Sequence, residues 1–218
     1  MLPSGNEFVE TLFAVAMVGG VSVLMNARYK ASELAYVIEN ADLRLLVTTD
    51  LISEYADFGA LVHAALPELA ARTAAEDQAR QPLALAAVPE LRHLVMLGDS
   101  TPRGFLRADE FDLLSDEDAP IDALRAAVRL SAPAIMMYTS GTTAHPKGCP
   151  LSHEILVRNG IHMNRQRFFL TEADVFWAPL PMFHMAAILP ALACMDAGAA
   201  MLTSTHFEPG EALRLLEE

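Results

Sequence analysis

Residues 134–148 read AIMMYTSGTTAHPKG, an apolar run that passes directly into a stretch of hydroxyls and glycines. Ala134–Tyr138 has the length and apolar character of a buried strand. From Tyr138 to Gly148 the chain then places four aliphatic hydroxyls (Thr139, Ser140, Thr142, Thr143), two glycines and one lysine in eleven residues. Hydroxyls and exposed backbone N–H groups donate to phosphate oxygens, glycine lets the backbone approach closely, and lysine adds a movable positive charge. Pro146 stiffens the approach to Lys147. In α/β folds, loops at the carboxyl ends of strands carry ligands. This loop occupies that kind of position.

Outward from the loop, helix and strand patterns alternate. Upstream, the periodicity predicts a buried helix over Asn6–Val18, a strand over Val21–Asn26 and a helix capped by Ser32, with Leu34, Val37, Ile38 and Ala41 on one face. A strand at Leu43–Thr49 follows, then an Ala-rich helical stretch over Glu54–Ala79 broken at Pro67, and a strand at Leu91–Leu97. Gly98–Ala119 reads as an acidic surface loop with one short helix. Downstream, Ser152 is the N-cap of a helix running to Phe169. Strands at Val175–Ala178 and Ala199–Thr203 flank an apolar helix over His184–Ala197, and Glu208–Glu218 starts another helix. Such alternation implies mostly parallel sheet with right-handed crossovers. Both ends fall within or beside helices, so the chain reads as a piece of something longer.

Composition narrows the function classes. With 218 residues, 53% hydrophobic and 20% charged, the chain can bury a large core and form one large α/β domain or two small ones. A net charge of −13 without a basic run argues against a nucleic-acid partner. Cys149 and Cys194 form no disulfide framework, which makes a reducing cytoplasm the default location. Thr11–Met25 is apolar but short for a membrane span, and no basic residues precede it as in a signal peptide. No stable membrane insertion is expected.

Other phosphate and nucleophile motifs do not fit the loop. A Walker loop needs Gly before its Lys and Ser or Thr after, where Pro146 and Gly148 stand. A nucleophile elbow needs Gly two positions before the serine, where Tyr138 stands. A Ser-x-x-Lys arrangement fails at Thr143. His145, Cys149 and His153 recur every four residues, but Pro146, Gly148 and Pro150 forbid the helix that would make that spacing a metal site.

The segment resembles the phosphate-binding signature of the adenylate-forming superfamily, which includes acyl-CoA synthetases, luciferases and nonribosomal peptide adenylation domains. The usual form is YTSGTTGxPKG followed by a Thr-His or Ser-His pair, here Ser152-His153. The likeness extends along the chain. Asn26-Ala-Arg28…Glu33-Leu34 is similar to an early "N-x-R…EL" stretch, Pro179-Leu-Pro-Met-Phe-His184 to a "PxFH" segment, and Ala197-Gly198-Ala199 to a following strand entry. Ala144 departs from the pattern, standing where the family usually has glycine; a requirement for positive φ there would make it costly.

The resemblance implies an α/β fold of mostly parallel sheets flanked by helices, with residues 1–218 forming part of the large N-terminal AMP-binding domain. It implies a magnesium-dependent ligase that uses ATP to convert a fatty or other carboxylic acid to an acyl-adenylate, and then coenzyme A to form acyl-CoA. Thr139, Ser140, Gly141, Thr142, Thr143, Lys147 and Gly148 would hold the β- and γ-phosphates, and Thr142 or Thr143 would reach Mg²⁺. His184 would line the acyl and carboxylate pocket as its catalytic histidine, and Phe183-His184 points to the acyl-CoA ligase branch. Met182, Phe183, Met185 and Ile188 are open to two readings, an acyl tunnel or plain core. Trp177 reads as core. The remaining parts of the family's site would lie beyond Glu218, so these residues alone are expected to be inactive. Two other functions are compatible: an adenylation domain loading a carrier protein, and a non-catalytic nucleotide- or acyl-binding module. Exposed apolar surface would favour a homo-oligomer.

Overall fold

The computed structural model describes residues 1–78, 80–139, 146–205 and 207–217. The elements, in chain order, are α1 (Asn6–Met17), β1 (Ser22–Leu24), α2 (Ala31–Asn40), β2 (Leu45–Thr49), α3 (Phe58–Ala65), α4 (Ala74–Gln78), β3 (His93–Leu97), β4 (Phe105–Arg107), α5 (Ala108–Asp112), α6 (Ile121–Ala127), β5 (Pro133–Thr139), β6 (Lys147–Ser152), α7 (His153–Met163), β7 (Val175–Ala178), α8 (Met185–Ala197), β8 (Ala200–Thr203) and α9 (Pro209–Glu217). A 3-10 turn at Pro67–Ala71 and a π turn at Asn164–Phe168 complete the set. Two units divide the chain. One comprises Met1–Leu2, Met25–Pro120 and Tyr138–Cys149, the other Pro3–Leu24, Ile121–Met137 and Pro150–Glu218.

In the first unit a parallel sheet has the order β2-β3-β4, with Leu45 opposite His93 and Leu94 opposite Phe105. Leu94, Val95 and Met96 of the central strand are all buried, as expected where both faces of a parallel strand are covered. Helix α2 buries Leu34, Val37 and Ile38 at spacings of three and four. Phe58, Val62, Leu69 and Leu91 complete this core. Each such side chain contributes about 1.5–3 kcal/mol by leaving water.

Several predicted boundaries move, each for a local reason. The N-cap of α2 is Lys30, not Ser32, because the Glu33 carboxylate reaches back to accept the Lys30 N–H at 2.8 Å. Helix α3 starts only at Phe58, where the Asp57 carboxylate accepts the Ala60 N–H at 2.8 Å. The expected surface loop over 98–119 also holds β4, whose Phe105 and Leu106 are buried. Two apolar residues are too few to show a strand period.

In the second unit β1 pairs in parallel with β5, Ser22 opposite Ile135 through Leu24 opposite Met137. The sheet that contains them has the order β1-β5-β6. β7 and β8 form a separate parallel pair, with Val175 opposite Ala200. Helix α8 buries Ala187, Ile188, Pro190, Ala191, Ala193 and Cys194 and ends at Gly198, whose φ of 70° closes the helix in the left-handed conformation.

Helix α1 was expected to be buried, yet it buries only Phe8 and leaves Phe13 and Met17 exposed. An apolar run shows that a helix forms more readily than it shows which face is covered. The helix predicted to reach Phe169 ends earlier, at Met163. There the buried Asn164 donates to Asp196 at 3.1 Å and accepts the Leu170 N–H at 2.8 Å, and the chain turns through Phe169 at φ 55°. Among the described residues, no helix is long and apolar enough to cross a membrane.

Candidate functional site

The hydroxyl-rich segment joins two neighbouring strands. Thr139 is the last residue of β5 and Lys147 the first of β6, and both are exposed. Of the predicted phosphate-binding set, Thr139, Lys147 and Gly148 are described, whereas Ser140, Gly141, Thr142 and Thr143 lie outside the described residues, as do Ala144 and His145. No strand was predicted at β6, because KGCPLS carries a glycine and a proline and lacks the alternation of a strand. Among the described residues, no carboxylate pairs with Lys147, in contrast to Arg158 and Arg165, which are matched by Glu154 and Asp196.

Both flanks of the segment are anchored. The Tyr138 hydroxyl donates to the Asn40 Oδ1 at 2.7 Å. Burial is the first cause that pushes this phenol above its ordinary value, followed by Tyr36 and Asp42. It therefore remains a donor at neutral pH. On the other side, Ser152 caps α7 as predicted, its Oγ accepting the Ile155 N–H at 3.3 Å. His153 follows with its Nε2 buried and without a hydrogen-bond partner among the described residues.

His184 stands at the N-cap of α8. Its backbone N–H donates to the Pro181 carbonyl at 3.0 Å, while its own carbonyl accepts from Ala187 at 3.0 Å and Ile188 at 3.2 Å. Only the backbone is committed to the turn. The exposed imidazole makes no capping bond, and it lies 4.5 Å from the Phe183 ring at 47°. Proline at 181 sets this geometry by fixing the chain just before the helix. Met182 and Ile188 are core residues at 2% and 1% exposure, and Phe183 and Met185 are half-buried. Trp177 stacks on Phe207 with ring centroids 6.2 Å apart, and its indole Nε1 is buried without a partner among the described residues.

Of the metal spacing set aside from sequence, Cys149 lies in β6 and His153 in α7. Among the described residues, no group of three or more His, Cys, Asp or Glu could hold a metal ion. No local pattern marks Asn40, whose partner is 98 residues away. Only the tertiary fold could have revealed it.

The family model for AMP-binding enzymes matches residues 1–218. The proposed acyl-CoA synthetase YngI of Bacillus subtilis is 29% identical over 98% of this chain and 38% of its own length. The long-chain-fatty-acid–CoA ligase of Thermus thermophilus is 28% identical over 96% of this chain and 33% of its own. The chain thus spans about two-fifths or less of these relatives. Its fold matches the crystal structure of a proposed long-chain-fatty-acid CoA ligase from Rhodopseudomonas palustris with a TM-score of 0.73, at 24% identity, over 99% of this chain and 46% of that one.

Proposed function

The chain belongs to the AMP-binding enzyme family, and from that premise we propose that the protein carrying it is an acid–thiol ligase that activates a carboxylic acid with ATP and passes the acyl group to coenzyme A. The substrate carboxylate attacks the α-phosphorus of Mg-ATP. The bond to the bridging oxygen breaks, leaving acyl-adenylate and pyrophosphate. The coenzyme A thiol then attacks the acyl carbon, AMP departs with the electron pair of the broken C–O bond, and the thiol gives up its proton.

The observation that carries this reading is the exposed Lys147 ammonium, without a carboxylate partner among the described residues, at one end of the hydroxyl- and glycine-rich segment, in a chain matched from end to end by the family. In this reading Thr139, Ser140, Gly141, Thr142, Thr143, Lys147 and Gly148 bind the β- and γ-phosphates and stabilise the charge that develops on pyrophosphate as it leaves. Thr142 and Thr143 offer hydroxyls to the magnesium that enters with ATP. His184, with its ring uncommitted to the helix, faces the acid. The acid is of the fatty or other acyl class, in line with the long-chain-fatty-acid ligase among the relatives.

The test is acid-dependent exchange of labelled pyrophosphate into ATP by the whole protein, across a panel of fatty and aromatic acids. Exchange that requires one of these acids supports the reading, and its absence with every acid overturns it. Product analysis with coenzyme A, or with a carrier protein in its place, identifies the acceptor.

A further inference from the structure

Asn40 is the last residue of α2, and that helix is held by Leu34, Val37 and Ile38, each at most 1% exposed. The backbone from which its exposed side chain projects is therefore set by a well-packed element. Tyr138 is the penultimate residue of β5, immediately before Thr139. The 2.7 Å bond between them links the end of a strand to the end of a helix 98 residues away in sequence.

We infer that Asn40 is a positioning residue for phosphate binding: through the Tyr138 hydroxyl it fixes the end of β5, the point from which Thr139 and the hydroxyl-rich residues follow. The inference rests on the reading of that segment as a pyrophosphate site. Donors that stabilise a leaving group act through where they stand before the reaction, so an error of a few tenths of an ångström at their root weakens every contact made from it. Asn40 itself touches no reacting atom in this scheme. The phenol is suited to the task because it remains protonated at neutral pH and so presents a constant donor.

The experiment is a double-mutant cycle on affinity for inorganic pyrophosphate, measured by isothermal titration on the 218-residue chain. Wild type, Asn40→Leu, Tyr138→Phe and the double variant are compared, with Gly160→Ala, at the contact between α7 and α8, as a control that lowers stability. Each single substitution is expected to weaken binding about three- to tenfold, the range of one hydrogen bond. The double variant is expected to be no weaker than the poorer single one, because both remove the same bond. The control should melt at a lower temperature with unchanged affinity. Wild-type binding with no loss in Asn40→Leu or Tyr138→Phe overturns the positioning role and leaves the pyrophosphate site standing, and so does a purely additive double variant. Failure of the wild-type chain to bind pyrophosphate overturns both. If Asn40→Leu does not fold, Tyr138→Phe alone decides, since it removes only one oxygen.

Discussion

Gly160 of α7 meets Leu192 of α8 so closely that a Cβ built on Gly160 would lie 2.5 Å from the Leu192 Cβ. Leu192 backbone atoms sit at 3.4 and 3.5 Å, so no change of rotamer relieves the clash. Glycine weakens a helix interior by roughly 0.5–1 kcal/mol relative to alanine. Here that cost is offset by the close approach of two helices. Gly160→Ala is therefore expected to destabilise the second unit by about 1–3 kcal/mol, despite its better helix propensity. Urea unfolding followed by circular dichroism checks this, and a variant as stable as wild type contradicts it.

Asp50 gives a pH-dependent expectation. Its carboxylate accepts the Ser100 N–H at 2.6 Å, and Gly98, with φ 145°, lies where a Cβ would come 1.7 Å from the Asp50 Oδ1. The Ser100 contact holds the Asp50 carboxyl below its ordinary range. A carboxyl depressed in the folded state contributes stability above its unfolded value of about 3.9, and that contribution is lost as pH falls through the folded value. Asp50→Asn is expected to flatten the fall in stability between about pH 4 and the lower folded value. Thermal melts of both proteins across pH 2–7 test it, and parallel profiles refute it.

Lys147 should matter to chemistry and hardly at all to stability. It is exposed, and among the described residues no carboxylate holds it. Lys147→Met in the whole protein is expected to lower the rate of acid-dependent pyrophosphate exchange on the order of 10²-fold, as loss of a single charge-stabilising donor does elsewhere. Its melting temperature should stay within a degree or two, since surface substitutions away from packed features usually change stability by less than about 0.5 kcal/mol. A large drop in melting temperature with normal exchange would reverse the assignment.

The 218-residue chain by itself is expected to bind pyrophosphate yet form no acyl-adenylate, since it spans 38% of the YngI relative. Trapping with hydroxylamine would reveal any acyl-adenylate as a hydroxamate. Hydroxamate above the no-enzyme background would show that the chain holds a complete site.

The elements legible from sequence were those with enough residues to show a period or a cap. β7 falls at the predicted Val175–Ala178, and Ser152 caps α7 because a hydroxyl before a helix satisfies the same donor in almost any context. The head of α8 was equally legible, Pro181 and His184 marking the turn. β4 and β6 were not, because one is three residues long and the other contains Gly148 and Pro150. The exposure of Phe13 and Met17 could not be read either, since an apolar side chain looks the same whether or not something covers it. At the site, the residues came from a contiguous signature and a resemblance. The Asn40–Tyr138 bond depends on long-range placement that no local pattern encodes.

The register of the parallel strands also leads to an expected order of assembly. Leu45 and His93 are 48 positions apart, whereas Ser22 and Ile135 are 113 apart. Nearly all of the chain between β1 and β5 belongs to the first unit. The longer closure is the costlier in chain entropy when that intervening chain is loose, and non-local pairing slows folding accordingly. If β2, β3 and β4 join first, much of that length is already collapsed, and less loose chain is left to close when β5 meets β1. Substitutions that loosen the β2–β3–β4 core, such as Leu94→Ala, are thus expected to delay the joining of β1 and β5 in refolding, although they lie in neither strand.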